Sequence, residues 1–206
     1  MRKTLRKTPP HRILEWLAVA AVCLLLHRVA PGQPMQHGKV EGNTYVDGRF
    51  GLRYTFPGNL EVQTSVGNMP VGTGEKVGTS EFLLSVMEKP TGRIRRGVFI
   101  TSDPVGTQGI TQTQSFLNFA ITRALAPKDP PGIKKVTIAG RTFYESKVGG
   151  DAAVPGGSIH FYGAQIATSC SGHFLVFCFS AASPAEVDEL LGSPDRMEMS
   201  CSASSK

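Results

Sequence analysis

The chain has 206 residues, a formal charge of +6 and 40% hydrophobic residues, which is enough length for one domain with its own core. The basic balance does not mark a nucleic-acid binder. Arg2, Lys3, Arg6, Lys7, Arg12 and Arg28 against Glu15 place +5 in the first thirty residues and leave +1 for everything after them, so little counterion release is available to the body.

The leader comes first. Met1 to Arg12 is a basic region, and Trp16 to Leu26 is an apolar run shorter than the about 20 residues that a membrane span needs. Ala30-Pro31-Gly32 supplies small residues ahead of a cut before Gln33, so residues 1–32 are expected to be a signal peptide. The alternative is an uncleaved N-terminal membrane anchor. In both cases the positive flank stays inside and the body lies outside the cytoplasm, secreted or periplasmic. Contact with a membrane is expected only through the leader. Residues 33–43 read as a linker, 44–201 as a single domain, and 202–206 as a disordered tail.

In the body, Arg49 to Pro57 sets Phe50, Leu52, Tyr54 and Phe56 against Gly51, Arg53 and Thr55. That period of two predicts a strand with one buried face, ended by the Pro57-Gly58-Asn59 turn. Leu60 to Val66 reads as a shorter strand. Gly67 to Thr79 reads as a loop, and its Gly and Lys residues lack phosphate-loop spacing. Glu81–Glu88 and Gly97–Ser102 are predicted strands, with Arg93, Arg95 and Arg96 in a solvated turn between them. Thr111 to Ala126 is the clearest helix: Phe116, Leu117, Ala120, Ile121, Ala124 and Leu125 form one stripe, and Pro127 stops it. Lys134–Ala139 and Arg141–Val148 are strands meeting at Gly140, and Gly149–Gly157 reads as a flexible loop.

The stretch Ser158 to Ser180 is the centre of the chain. Its second run, Phe174 to Phe179, is apolar throughout, which predicts a strand covered on both faces. Ser171-Gly172-His173 supplies the turn. Ser183-Pro184 opens a short helix over Ala185–Leu191 with Glu186 in its first turn, and Arg196–Cys201 returns as an edge segment. The elements add up to an α+β domain: a mostly antiparallel sheet of six to eight strands with two principal helices.

The tract Phe50-Gly-Leu-Arg-Tyr-Thr-Phe-Pro-Gly-Asn-Leu60, and Ile138-Ala-Gly-Arg-Thr-Phe-Tyr144 followed by a long hairpin and a terminal Ser-Pro helix, resemble PsbP-like domains over about Tyr45–Met199. The resemblance implies an αβα sandwich and a non-enzymatic role, as a module that docks on larger assemblies. It implies no catalytic residue. An unknown protein partner is therefore expected, and no nucleic acid.

Candidate chemistry is sparse. His37 lies in the linker, His160 faces out from a strand and His173 sits in the turn. His160 and His173 are too far apart along the hairpin to share a metal. Asp151, Ser158 and His160 are close in sequence, but a hydrolytic triad needs them facing at hydrogen-bond reach. No nucleophile elbow, zinc helix or dinucleotide fingerprint appears, so no catalytic, cofactor or metal residue is assigned. A small extracytoplasmic hydrolase with an unrecognised site remains the alternative to a binding module.

Three cysteines follow the leader: Cys170, Cys178 and Cys201. Outside the cytoplasm two of them are expected to pair. If the terminal helix runs back along the sheet and an extended tail reverses again, Cys201 arrives nearer Cys178. Cys178–Cys201 is then the expected disulfide and Cys170 a free thiol. The alternative is three buried, reduced thiols.

Overall fold

The computed structural model describes residues 38–66, 69–72, 76–77, 79–89, 96–125, 132–154, 157–192 and 196–201. The leader, residues 33–37 of the linker, Arg93, Arg95 and the 202–206 tail lie outside the described residues. So does most of the break between the first helix and the strand at Lys134.

The fold is α+β, dominated by antiparallel sheets; every strand pairing among the described residues is antiparallel. Strands β1 (Lys39–Glu41), β2 (Thr44–Asp47) and β3 (Leu52–Thr55) form a four-stranded sheet with β14 (Met197–Met199), in that order. The larger, eight-stranded sheet contains β4 (Leu60–Val62), β7 (Lys76–Val77), β8 (Ser80–Glu88), β9 (Gly97–Pro104), β10 (Lys134–Ile138), β11 (Arg141–Val154), β12 (Gly157–Cys170) and β13 (His173–Ala181). Its spatial order is β10-β11-β12-β13-β9-β8-β4, with β7 also on β8. A small hairpin, β5 (Ser65–Val66) with β6 (Met69–Pro70), stands apart. Helices α1 (Thr113–Leu125) and α2 (Pro184–Leu191) complete the fold.

The central hairpin forms as its residues demand. Ser171 and Gly172 both take positive φ, 48° and 75°, the pair of conformations a two-residue type I′ turn requires. His173, expected in the turn, is instead the first residue of β13 and lies opposite Cys170. Register then alternates the strand's side chains. Phe174 and Val176 pack with Phe116, Leu117 and Ile121 of α1, and Phe116 stacks on Phe174 at 4.3 Å. Leu175, Phe177 and Phe179 face the other way, where Tyr54 and Phe143 meet the ring of Phe177 edge-on.

That second face is covered by β as well as α structure. Tyr45, Phe50, Leu52, Tyr54 and Phe56 from the small sheet and its flanks join Val187 and Leu190 of α2 in one core. The expected alternation of Phe50, Leu52, Tyr54 and Phe56 is therefore real, and all four side chains are buried. Strand β1 lies in the stretch read as linker, so the ordered domain begins before Thr44. Helix α2 is capped reciprocally: Ser183 Oγ accepts from Glu186 N at 3.3 Å, and Glu186 Oε2 accepts from Ala182 N at 3.1 Å.

A polar clamp joins the sheets. Asp47, at the end of β2, is 0% exposed, and Glu81 of β8 is 4% exposed. The Arg49 guanidinium lies between them, donating to Asp47 Oδ1 and Oδ2 at 3.2 and 2.7 Å and to Glu81 Oε2 and Oε1 at 3.1 Å each. Arg49 N also donates to Asp47 Oδ1 at 2.9 Å, and Tyr45 Oη to Asp47 Oδ2 at 3.1 Å. Burial alone would lower the Arg49 pKa, but the bonds and charges of Asp47 and Glu81 outweigh it and raise it above its ordinary value. Burial foremost, then Asp47, pushes the Tyr45 phenol up.

Removing one partner of a buried ion pair leaves uncompensated charge, at a cost of about 3 kcal/mol or more. Arg49→Met is expected to lose stability on that scale in chemical denaturation. A loss below about 1 kcal/mol would show that the clamp contributes no more than an ordinary surface pair.

Candidate functional site

Strands β11 and β12 pair continuously from Tyr144↔Ala167 to Val154↔Gly157. Their neighbours stop earlier: β10 ends at Lys134↔Glu145, and β13 ends at Tyr162↔Ala181. Residues 157–161 of β12, with the facing part of β11, therefore run past the sheet as a two-stranded ribbon of about 16 Å. On the β11 side β10 leaves off at Glu145, and Ser146 is 1% exposed, so among the described residues the open edge starts at Lys147.

This ribbon corrects the expectation of a loop over Gly149–Gly157, because both strands persist to the tip. Gly149 and Gly150 lie opposite Tyr162 and Phe161. A Cβ at Gly150 would sit 3.4 Å from the Phe161 ring, and one at Gly149 would sit 4.0 Å from the Tyr162 ring. Cross-strand aromatics thus cover the bare glycine backbone and hold it in the ladder. Sequence propensity reads Gly-Gly as a loop signal because it does not see the opposite strand.

The polar groups of the ribbon are few. Asp151 and His160 are cross-strand partners, with Asp151 Oδ1 and His160 Nδ1 2.8 Å apart and both side chains at least half exposed. The His160 ring also meets Tyr162 edge-on at 4.8 Å. His160 Nε2 lies toward Gly149, 3.8 Å from where a Cβ there would be. Ser158 lies two residues the other way along β12, opposite Ala153. The structure so brings together two of the three residues weighed as a triad and directs the imidazole away from the third. At the base of the ribbon, Lys147 Nζ reaches Asp188 Oδ1 of α2 at 2.7 Å, and the pair raises the Lys147 pKa.

His173 is distant from this cluster. It lies edge-on to Phe50 at 5.6 Å and donates through Nδ1 to Ser171 O at 3.1 Å. His37 lies outside the described residues. Among the described residues, no group of three or more His, Cys, Asp or Glu side chains is placed to hold a metal ion. Arg96, expected in a solvated turn, is mostly buried and pairs with Glu189 of α2 at 2.7 Å, which holds that carboxyl below its usual range.

The disulfide is Cys170–Cys201, with Cα atoms 5.3 Å apart, and not the expected Cys178–Cys201. Two physical facts overturn that expectation. The tail does not run along β13: Arg196 donates to Glu189 O at 3.2 Å, and β14 then pairs with β3 of the small sheet. Side-chain alternation also places Cys178 with Phe174 on the α1 face, whereas Cys201 lies on the opposite core with Cys170. Gly51 makes the approach possible. Its φ of 54° admits few other residues, and a Cβ there would collide with Ser200 Oγ. Counting alternation back from Phe174 across a two-residue turn was the signal available in the sequence. A disulfide of this kind belongs to an oxidising, extracytoplasmic compartment. Among the described residues, no helix is long and apolar enough to cross a membrane.

No family model matches the chain, and no curated protein matches it. Among solved structures, a protein of Bacteroides thetaiotaomicron is similar over 72% of this chain and 45% of its own, with a TM-score of 0.40 and 10% identity. The chain therefore spans less than half the length of that protein.

Peptide mapping without reductant is expected to recover a Cys170–Cys201 linked peptide, and Cys201→Ser to cost about 3–4 kcal/mol for a separation of 31 residues. Recovery of a Cys178–Cys201 peptide would contradict the pairing.

Proposed function

We propose that this protein is an exported, non-catalytic accessory module that docks on a protein partner through the β11–β12 ribbon. The observation that carries this reading is the ribbon itself. A two-stranded ribbon is marginal in water, and three or more strands or a packed face are needed for independent stability. Among the described residues no further strand pairs with its edges, the form in which extended segments are recruited by strand addition.

Likeness to PsbP-like domains belongs to the same proposal. In that arrangement α1 and α2 would be the outer helices of an αβα sandwich, with the four-stranded sheet as an addition. The packing of α1 and α2 into the two different cores of the large sheet supports it. Export is supported by the disulfide, and the Trp16–Leu26 run would serve as the signal.

A small extracytoplasmic hydrolase is the second reading, and the Asp151–His160 pair favours it. That chemistry would need a nucleophile at His160 Nε2, which Ser158 does not supply. Turnover of simple esters that His160→Ala abolishes would establish it.

Affinity capture from the native envelope tests the docking reading. The full chain is compared with a variant in which residues 151–160 are replaced by an Asn-Gly turn joining Gly150 to Phe161. The full chain is expected to retain a partner that the shortened variant loses, with cooperative unfolding intact in both. Equal retention by both would overturn the role of the ribbon.

A further inference from the structure

We propose that the open edge of β11 from Lys147 to Asp151 pairs antiparallel with the same edge of a second copy of this chain, about a two-fold axis through Gly149. The proposal rests on the ribbon being a contact surface and names its first occupant.

The register follows from alternation and charge. For two copies related by an axis perpendicular to the sheet, facing residues must lie on the same face, so the axis passes through a residue and not between two. Centred on Gly149, Lys147 faces Asp151 of the partner subunit and Asp151 faces Lys147 of the partner subunit, giving two opposite-charge pairs. Centred on Lys147 or on Asp151, a like charge meets itself. Centred on Val148, Glu145 meets Asp151; centred on Gly150, neither charge finds a partner. Opposite charges directly across an antiparallel pair stabilise it, and like charges oppose it, so the Gly149 register is the one this edge selects.

Three structural features agree with it. Lys147, Gly149 and Asp151 share one face of β11, set by their partners Ala164, Tyr162 and His160. Lys147 and Asp151 have side chains 55% and 69% exposed, so their present ion pairs to Asp188 and His160 cost little to rearrange. Gly149 and Gly150 put no side chain at the axis, where the backbones must approach. Pairing converts the two-stranded ribbon into four strands, β12-β11-β11-β12, above the number at which a sheet stands alone. The pairing also stops where it must, because Ser146 is buried and Glu145 is already taken by Lys134 of β10.

The test is light scattering and sedimentation of the full chain from micromolar concentration to about 0.1 mM, well above a micromolar Kd. A dimer is expected. Lys147→Asp and Asp151→Lys should each weaken it by about tenfold or more, and the double variant should recover it. Gly149→Cys should give an intermolecular disulfide under mild oxidation, while Ser158→Cys, on the other strand of the ribbon, should not. A monomer throughout the range, or a dimer that neither single substitution affects, would overturn the proposal. A monomer that still captures a partner through the ribbon would sink this inference and leave the docking reading standing.

Discussion

The fold depends on the seating of the small sheet against the large one at Phe50. Phe50, Leu52, Tyr54 and Phe56 bury one face of β3 and its flanks on the large sheet. At about 1.5–3 kcal/mol for each fully buried side chain, as an upper estimate, this contact is a large share of a domain's net stability. Two linkages of different chemistry hold the same corner. The Arg49 guanidinium stands 4.9 Å over the Phe50 ring while it joins Asp47 to Glu81. The Cys170 sulfur lies 3.5 Å from Phe50 O while it holds Cys201. One linkage ties β2 to β8, and the other ties the central turn to the end of the chain.

The clamped corner explains how the rest can project. Strand β12 has two environments along its length. From Tyr162 to Ala167 it lies between β11 and β13 with both cores against it; from Gly157 to Phe161 it has β11 alone. The first half is held by layers on each side, so the second half extends outward without destabilising the domain. Binding surfaces are commonly of this kind, low in local stability and carried on a rigid scaffold.

Much of the framework could be read from residue patterns. The alternation from Phe50 to Phe56, the all-apolar run Phe174–Phe179, the Phe116, Leu117 and Ile121 part of the α1 stripe and the Ser183-Pro184 cap each belong to a period or motif a few residues long, and each forms where expected. What could not be read depends on partners distant in sequence. Gly149-Gly150 stays in a strand because Phe161 and Tyr162 lie across from it. Arg49 looks like the polar side of a strand until Glu81 is placed beside it. The second cover of the large sheet is partly a sheet, because β14 arrives from the far end of the chain to complete it. The cysteine pairing was partly within reach. Alternation separates Cys178 from Cys170, but the direction of the tail after Arg196 is set by pairing with β3 and has no local signal.

Native-state hydrogen exchange with and without reductant tests the role of the Phe50 corner most directly. Reduction of Cys170–Cys201 is expected to lower protection first in β14, β3 and β2, while β9, β13 and the inner half of β12 keep theirs. Unchanged protection in the small sheet, or simultaneous loss across both sheets, would contradict a clamp that acts where the two sheets meet.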